Sequence, residues 1–150
     1  MTTTTNDNEK RLKWHKAYET GIERIDFEHK VFLELINSFC YAINNQLAAK
    51  DLSRLISEIE KYAEFHFISE ENFMRRINYP DYNKHQKDHF ELLEYLNLYK
   101  HKAEDFGQYA RFLHQWFVNH TIHEDIKIKT FIQENNIDVD QYYYNLNISK

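Results

Sequence analysis

His66-Phe67-Ile68-Ser69-Glu70, His85-Gln86-Lys87-Asp88-His89 and His120-Thr121-Ile122-His123-Glu124-Asp125 share one arrangement: a histidine followed about a helical turn later by a second histidine or a carboxylate. At about 100° per residue, positions i and i+4 of an α-helix lie on one face, so such a pair can aim two donors at a common point. His29 adds a fourth piece upstream. Imidazole suits iron, and carboxylate suits its harder oxidised state. These histidines and carboxylates are enough to hold a pair of first-row metal ions, and the inventory reads as a di-iron centre.

Working outward, four long segments carry helical periodicity. The first runs roughly from Glu23 to Gln46, with His29, Phe32, Ile36, Phe39 and Ile43 stepping by three and four. The second runs roughly from Leu52 to Ile77, with Leu55, Ile59, Tyr62, His66, Glu70 and Phe73 on its stripe and Asp51 as an expected N-cap. Pro80 disfavours helix at Tyr79, and Asp81 can cap the third segment, whose stripe is His85, His89, Leu92, Leu96 and Tyr99. The fourth starts near Asp105 to Gly107 and carries Tyr109, Leu113, Trp116 and His120. A shorter amphipathic piece, Ile126 to Glu134, continues or follows it. The arm before Glu23 and the tail from Asn135 to Lys150 read as irregular.

The histidines fall on the apolar stripes, which face the interior of a bundle. One buried imidazole satisfies itself with a carbonyl or a hydroxyl. Five on four helices, joined by Glu70, are harder to satisfy, since each unpartnered buried polar group costs roughly 1–3 kcal/mol. A metal pair satisfies them together.

Composition narrows the classes. With 150 residues the chain fits one domain with a proper core. Only two Gly and one Pro leave little punctuation for an all-β fold. The formal net charge is −5 and the basic residues are scattered, which argues against nucleic acid. The single cysteine, Cys40, excludes an intrachain disulfide and fits a reducing compartment. The opening residues lack a signal-peptide core, and no apolar run approaches the roughly 18 residues of a membrane span. The expected location is the cytoplasm.

The combination resembles the hemerythrin family, in particular its single-domain bacterial members, the bacteriohemerythrins. The matching stretches are Trp14 with Ile22-Glu23-Arg24-Ile25-Asp26-Phe27-Glu28-His29, and Phe65-His66 through Glu70 to Met74. Tyr79-Pro80 ahead of His85 and His89-Phe90 follow, and then Trp116 ahead of His120 and Asp125. The resemblance runs from about Trp14 to about Phe131 and implies an all-α, up-down-up-down four-helix bundle with an N-terminal arm and a short C-terminal helix. It implies that His85, His89 and His120 are terminal ligands of one iron and His29 and His66 of the other. Glu70 and Asp125 then bridge, with an oxo or hydroxo bridge between the ions. An open position on the two-histidine iron is where dioxygen binds. Helix geometry alone selects Glu124, at i+4 from His120; the family pattern selects Asp125, at i+5, which an ideal helix turns about 140° away.

His15, His101, His114 and His123 fall outside this spacing and read as surface residues, Met74 and Cys40 as core filler, and Tyr142-Tyr143-Tyr144 as tail packing. Phe32, Phe67, Trp116, Phe117 and Ile122 flank the ligand positions and are candidates for a dry oxygen pocket. Relatives often carry Leu at the position of Phe117 and a branched apolar residue at that of Thr121. Carboxylate-rich di-iron oxidases supply more anionic charge than two carboxylates do. Five neutral imidazoles favour reversible dioxygen binding, for carriage, storage or sensing, over enzymatic oxidation. No output domain follows the bundle, which favours a carrier. The alternatives are a di-iron peroxidase or nitric-oxide-handling enzyme, and iron storage or donation.

Overall fold

The computed structural model describes residues 11–100 and 106–143, and among these there is no β-strand. Four helices make the bundle: α1 (Glu23–Asn44), α2 (Ala49–Arg76), α3 (Tyr82–Tyr99) and α4 (Phe106–Asn119). A π-helical turn, His120–Asp125, continues α4 into α5 (Ile126–Glu134), and α6 (Val139–Tyr143) ends the described chain. α1 packs against both α2 and α4, and α2 against α3, the neighbour pattern of an up-down-up-down bundle.

Three helices stop by the same device. Gln46, Asn78 and Asn136 adopt left-handed backbone, with φ of 55°, 55° and 50°. Each lets the next amide reach back: Leu47 N–H to Ala42 O, Tyr79 N–H to Met74 O and Ile137 N–H to Ile132 O, at 3.1, 2.9 and 3.1 Å. These are Schellman closures, in which a left-handed residue satisfies carbonyls that the helix leaves over. In a chain with two glycines, asparagine and glutamine fill the role. Pro80 then prevents α2 from resuming.

N-terminal ends differ from expectation. α2 begins three residues before Leu52, and Asp51 lies within its first turn, where its charge meets the positive end of the helix but makes no capping bond. Asp81 does occupy the cap position of α3, without a side-chain capping bond.

Two apolar clusters flank the bundle's polar centre. The larger, built on Phe32, Ile36, Phe39, Ile59, Leu96 and Leu113, fills most of its length. The smaller packs Ile22, Ile25, Phe73, Met74 and Ile128 beneath the other end, and Tyr142 and Tyr143 of α6 rest on it. Tyr143 stacks on Phe73 at 5.0 Å between centroids, so this part of the tail is a docked helix rather than the irregular segment expected. Phe73 is fully buried, and its truncation to Ala costs about 3–5 kcal/mol.

The arm is also pinned. Leu12 N–H donates to Asn37 Oδ1 at 2.9 Å and Leu12 C=O accepts from Asn37 Nδ2 at 2.8 Å, while Tyr18 is buried in a 3-10 turn, Lys16–Tyr18. The Thr2–Thr5 run, Asp105, His101, Tyr144 and the last residues lie outside the described part.

Candidate metal centre

His29 projects from α1, His66 and Glu70 from successive turns of α2, His85 and His89 from successive turns of α3, and His120 and Asp125 from the two ends of the π-helical turn. All seven are buried. The π turn sets the two acids after His120 on different sides. Bonding from i to i+5 inserts a residue into the turn and brings positions five apart to one side. Asp125 accordingly faces the centre, 1% exposed. Glu124 turns outward and pairs with Lys84 at 3.1 Å and Lys127 at 3.3 Å.

Each carboxylate divides its oxygens between two groups of imidazoles. Glu70 Oε1 lies 2.6 Å from His85 Nε2 and 3.2 Å from His89 Nε2, whereas its Oε2 lies 3.4 Å from both His29 Nε2 and His66 Nε2. Asp125 Oδ1 lies 3.0 Å from His85 Nε2 and 3.1 Å from His120 Nε2, and its Oδ2 lies 3.1 Å from His29 Nε2. His120 Nε2 stands 3.2 Å from the Nε2 atoms of both His85 and His89. Adjacent ligands at about 2.1 Å from one metal ion stand roughly 3.0–3.4 Å apart, so this spacing fits a shared cation.

Protonation logic makes the same demand. Glu28 Oε1 lies 2.8 Å from His66 Nδ1, and Glu71 Oε2 lies 2.9 Å from His89 Nδ1. An ionised carboxylate only accepts, so both Nδ1 atoms carry the hydrogen and each neutral ring keeps its lone pair on Nε2. Those lone pairs face the oxygens of Glu70. Glu70 Oε2 and Asp125 Oδ1 are themselves buried with no aligned hydrogen-bond donor. Lone pairs converging from both sides, away from water, fit a positive ion between them.

The electrostatics agree. Burial pulls the imidazoles of His29 and His85 down, yet hydrogen bonds and charge from Asp125 and Glu70 outweigh it and push both up to about 10. Burial pushes Glu70 and Asp125 up, and the surrounding histidines overcome it, holding both carboxyls well below their ordinary range. The pocket draws positive charge, which protons supply when metal does not.

Glu28 and Glu71 are carboxylates bordering the centre that sequence reading missed. Glu28 also accepts from Ser69 Oγ at 2.9 Å and from Arg24 Nε at 3.2 Å, and Tyr62 Oη donates to the Glu28 carbonyl at 2.5 Å. Such partners fix the tautomer and orientation of metal-binding imidazoles. One signal was available: Glu28 sits on the stripe between Ile25 and Phe32, an acid where an apolar residue belongs. Glu71 carries no comparable mark, since its role depends on α3 lying alongside α2.

Of the five pocket candidates, Phe32, Phe67 and Phe117 are buried against the centre, and Trp116 is half-buried over His120. Ile122 is half-buried and packs on the larger cluster. His15 and His123 are exposed and His114 is half-buried. Cys40 is half-buried rather than interior, and Met74 is fully enclosed. No described helix is long and apolar enough to cross a membrane.

Comparisons with known proteins agree with this geometry. The family model for the hemerythrin HHE cation binding domain matches residues 20–132. The bacteriohemerythrin of Clostridium acetobutylicum is 27% identical over 121 residues, covering 75% of this chain and 94% of that protein. The bacteriohemerythrin of Pseudomonas aeruginosa is 30% identical over 118 residues, 76% of each. The myohemerythrin of Theromyzon tessulatum is 27% identical over 117 residues, 78% of this chain and 90% of that protein. A crystal structure of a leucine-to-phenylalanine mutant superposes with a TM-score of 0.72 at 22% identity, over 79% of this chain and 95% of the other, and shares the fold. With four helices converging on a histidine and carboxylate cluster able to hold metal, and a family match across most of its length, the chain belongs to the hemerythrin family.

Proposed function

We propose that the chain holds two iron ions and takes up dioxygen reversibly at that centre, for carriage, storage or sensing in the cytoplasm. The supporting observation is the unequal division of donors: three imidazoles at one end, two at the other, with each carboxylate offering one oxygen to each end. In this reading His85, His89 and His120 hold one ion, His29 and His66 the other, and Glu70 and Asp125 bridge. The end with two histidines has fewer protein donors and receives the exogenous ligand. A ferrous pair, when bound, supplies the electrons that dioxygen accepts and returns. The protein orients the imidazoles through Glu28 and Glu71 and excludes water with Phe32 and Phe117, which stack at 5.6 Å beside the two-histidine end.

Binding is favoured over catalysis because the nearest additional carboxylates are already engaged. Glu28 and Glu71 are held by histidine Nδ1 atoms and are not poised to exchange protons with a substrate. The deciding experiment combines metal analysis with anaerobic oxygen titration. About two irons per chain are expected, from the division of donors over two ions. An oxygen-dependent absorption that fades when oxygen is stripped completes the result. One iron, native zinc, or irreversible oxidation at first exposure would overturn the reading.

A further inference from the structure

Away from the metal centre, the pinned arm, α1 and α4 enclose an open cleft of about 900 Å³. Ligand pockets run to about 300–1,000 Å³, so the space suits a small molecule. Tyr18, Cys40, Ile43 and Ala110 form its apolar interior. Arg11, Lys13 and Arg111 stand around it, with His15 and His114 among them. Among the described residues no Asp or Glu contributes to the lining, in a chain whose formal net charge is −5. Lys13 and Arg111 have no carboxylate partner among the described residues, and Arg11 meets only the exposed Glu34, at 3.5 Å. One wall is fixed by the paired bonds between Leu12 and Asn37.

We propose that this cleft binds an amphipathic anion, a small molecule with a carboxylate or phosphate head and an apolar body. The head meets Arg11, Lys13 and Arg111, and the body lies against Tyr18, Cys40 and Ile43. Apolar burial supplies affinity, and the unneutralised cations supply the selection for a negative head. A concave, partly apolar cleft does not suit a nucleic-acid backbone, which requires a continuous basic track. The seat lies two ring contacts from the metal centre: Tyr18 meets Phe117 at 6.1 Å, and Phe117 meets His29 at 6.2 Å.

The test does not depend on metal loading and uses the full chain. Anilinonaphthalene sulfonate, an apolar fluorescent anion, is titrated into the protein and then displaced. Saturable binding of one probe per chain is expected, and charge reversal by Arg111→Glu or Lys13→Glu weakens it at least about tenfold. Arg111→Lys retains most of it. Decanoate and decyl phosphate displace the probe, and the more effective of the two identifies the head; decanol, with the same body and no charge, is at least about tenfold poorer. The proposal is overturned if decanol competes as well as decanoate, or if charge reversal has no effect. It is also overturned if binding is lost in Phe90→Ser, because Phe90, 59% exposed, lines a separate cleft with Ile68 and Leu93.

Discussion

The two ends of the candidate centre are enclosed differently. At the three-histidine end, rings lie flat on rings: Phe67 covers His89 at 3.9 Å and 7°, and Trp116 covers His120 at 4.3 Å and 12°. At the two-histidine end the aromatic neighbours stand further off, and Tyr62, though parallel to His66 at 5°, lies 6.5 Å away. Phe117 meets His29 at 6.2 Å and 88°, and Phe32 meets His66 at 6.4 Å and 58°. Flat stacking fixes the imidazole planes and covers them. Those covers lie within 4.3 Å of their imidazoles, whereas the rings around His29 and His66 stand at 5.8 Å or more, so the end with fewer donors is also the end with the more distant aromatic neighbours. Each end has one carboxylate-anchored imidazole, His89 on Glu71 and His66 on Glu28. The ends therefore differ in donor number and in lid, while the anchoring of their imidazoles is similar.

The strongest way to break the comparison is to remove what the two ends share. Glu70→Gln or Asp125→Asn replaces one carboxylate oxygen with an amide nitrogen and removes the negative charge that both ends share, so iron is expected to fall from about two to below one per chain. His66→Ala or His120→Ala touches one end and should leave the other partly loaded. Glu124→Gln should change nothing, because Glu124 faces Lys84 and Lys127. Metal analysis of the purified variants checks all five, and an iron loss in Glu124→Gln larger than in Asp125→Asn would reverse the assignment at the π turn.

That turn marks the limit of what the sequence reveals. His66 with Glu70 and His85 with His89 were legible because an α-helix fixes which residues share a face. His120 with Asp125 was legible only through resemblance, since no local signal specifies a change from i+4 to i+5 bonding. The four bundle helices were legible from their stripes. The pinned arm and α6 were not, because Leu12 is held by Asn37 and Tyr143 by Phe73, contacts between distant parts of the chain. Glu28 was visible as a misplaced acid, whereas Glu71 was visible only once α3 lay beside α2.

Removing one anchor at a time sharpens the comparison further. Glu28→Gln should weaken the two-histidine end and Glu71→Gln the three-histidine end, each by about 10–100-fold in metal affinity. Competition with a chelator should then resolve two release phases, with a different phase accelerated in each variant. Acceleration of the same phase in both would show that the ends do not act separately.

Acidity probes what holds the two ends together without metal. His29 and His85, both pushed up to about 10, stabilise the metal-free fold fully below the free imidazole pKa of about 6.5, and that contribution is lost as pH rises through about 10. Glu70 and Asp125, both depressed, contribute above the free carboxylate range near about 4 and lose that contribution as pH falls. Metal-free protein should thus be most stable between about pH 4.5 and 6.5 and lose at least about 5 °C in Tm between pH 6.5 and 9.5. Loaded protein should hold steady or gain over the same window, because metal replaces the protons and competes better as they become scarce. Thermal melts of both forms across that window check the divergence; parallel curves would mean that these imidazoles do not exchange protons for metal.

The smallest effect tests the lids. Phe117 stacks on Phe32 at 5.6 Å and 9°, and only the edge of this pair meets the histidines, so Phe117→Leu should leave iron content unchanged. A smaller, more mobile side chain there admits water to the two-histidine end, the one proposed above to receive dioxygen. The oxygenated form should then decay about three- to tenfold faster, on the order of 1 kcal/mol in barrier. Phe117→Ala should go further in the same direction. Trp116→Leu removes a flat cover at the opposite end, where three imidazoles converge, and should change the decay less than Phe117→Leu. The measurement is the lifetime of the oxygen-dependent absorption, with iron counted in the same samples. If Trp116→Leu shortens that lifetime more than Phe117→Leu while iron is retained in both, dioxygen is guarded from the three-histidine end and the polarity of the centre is the reverse of the one argued here.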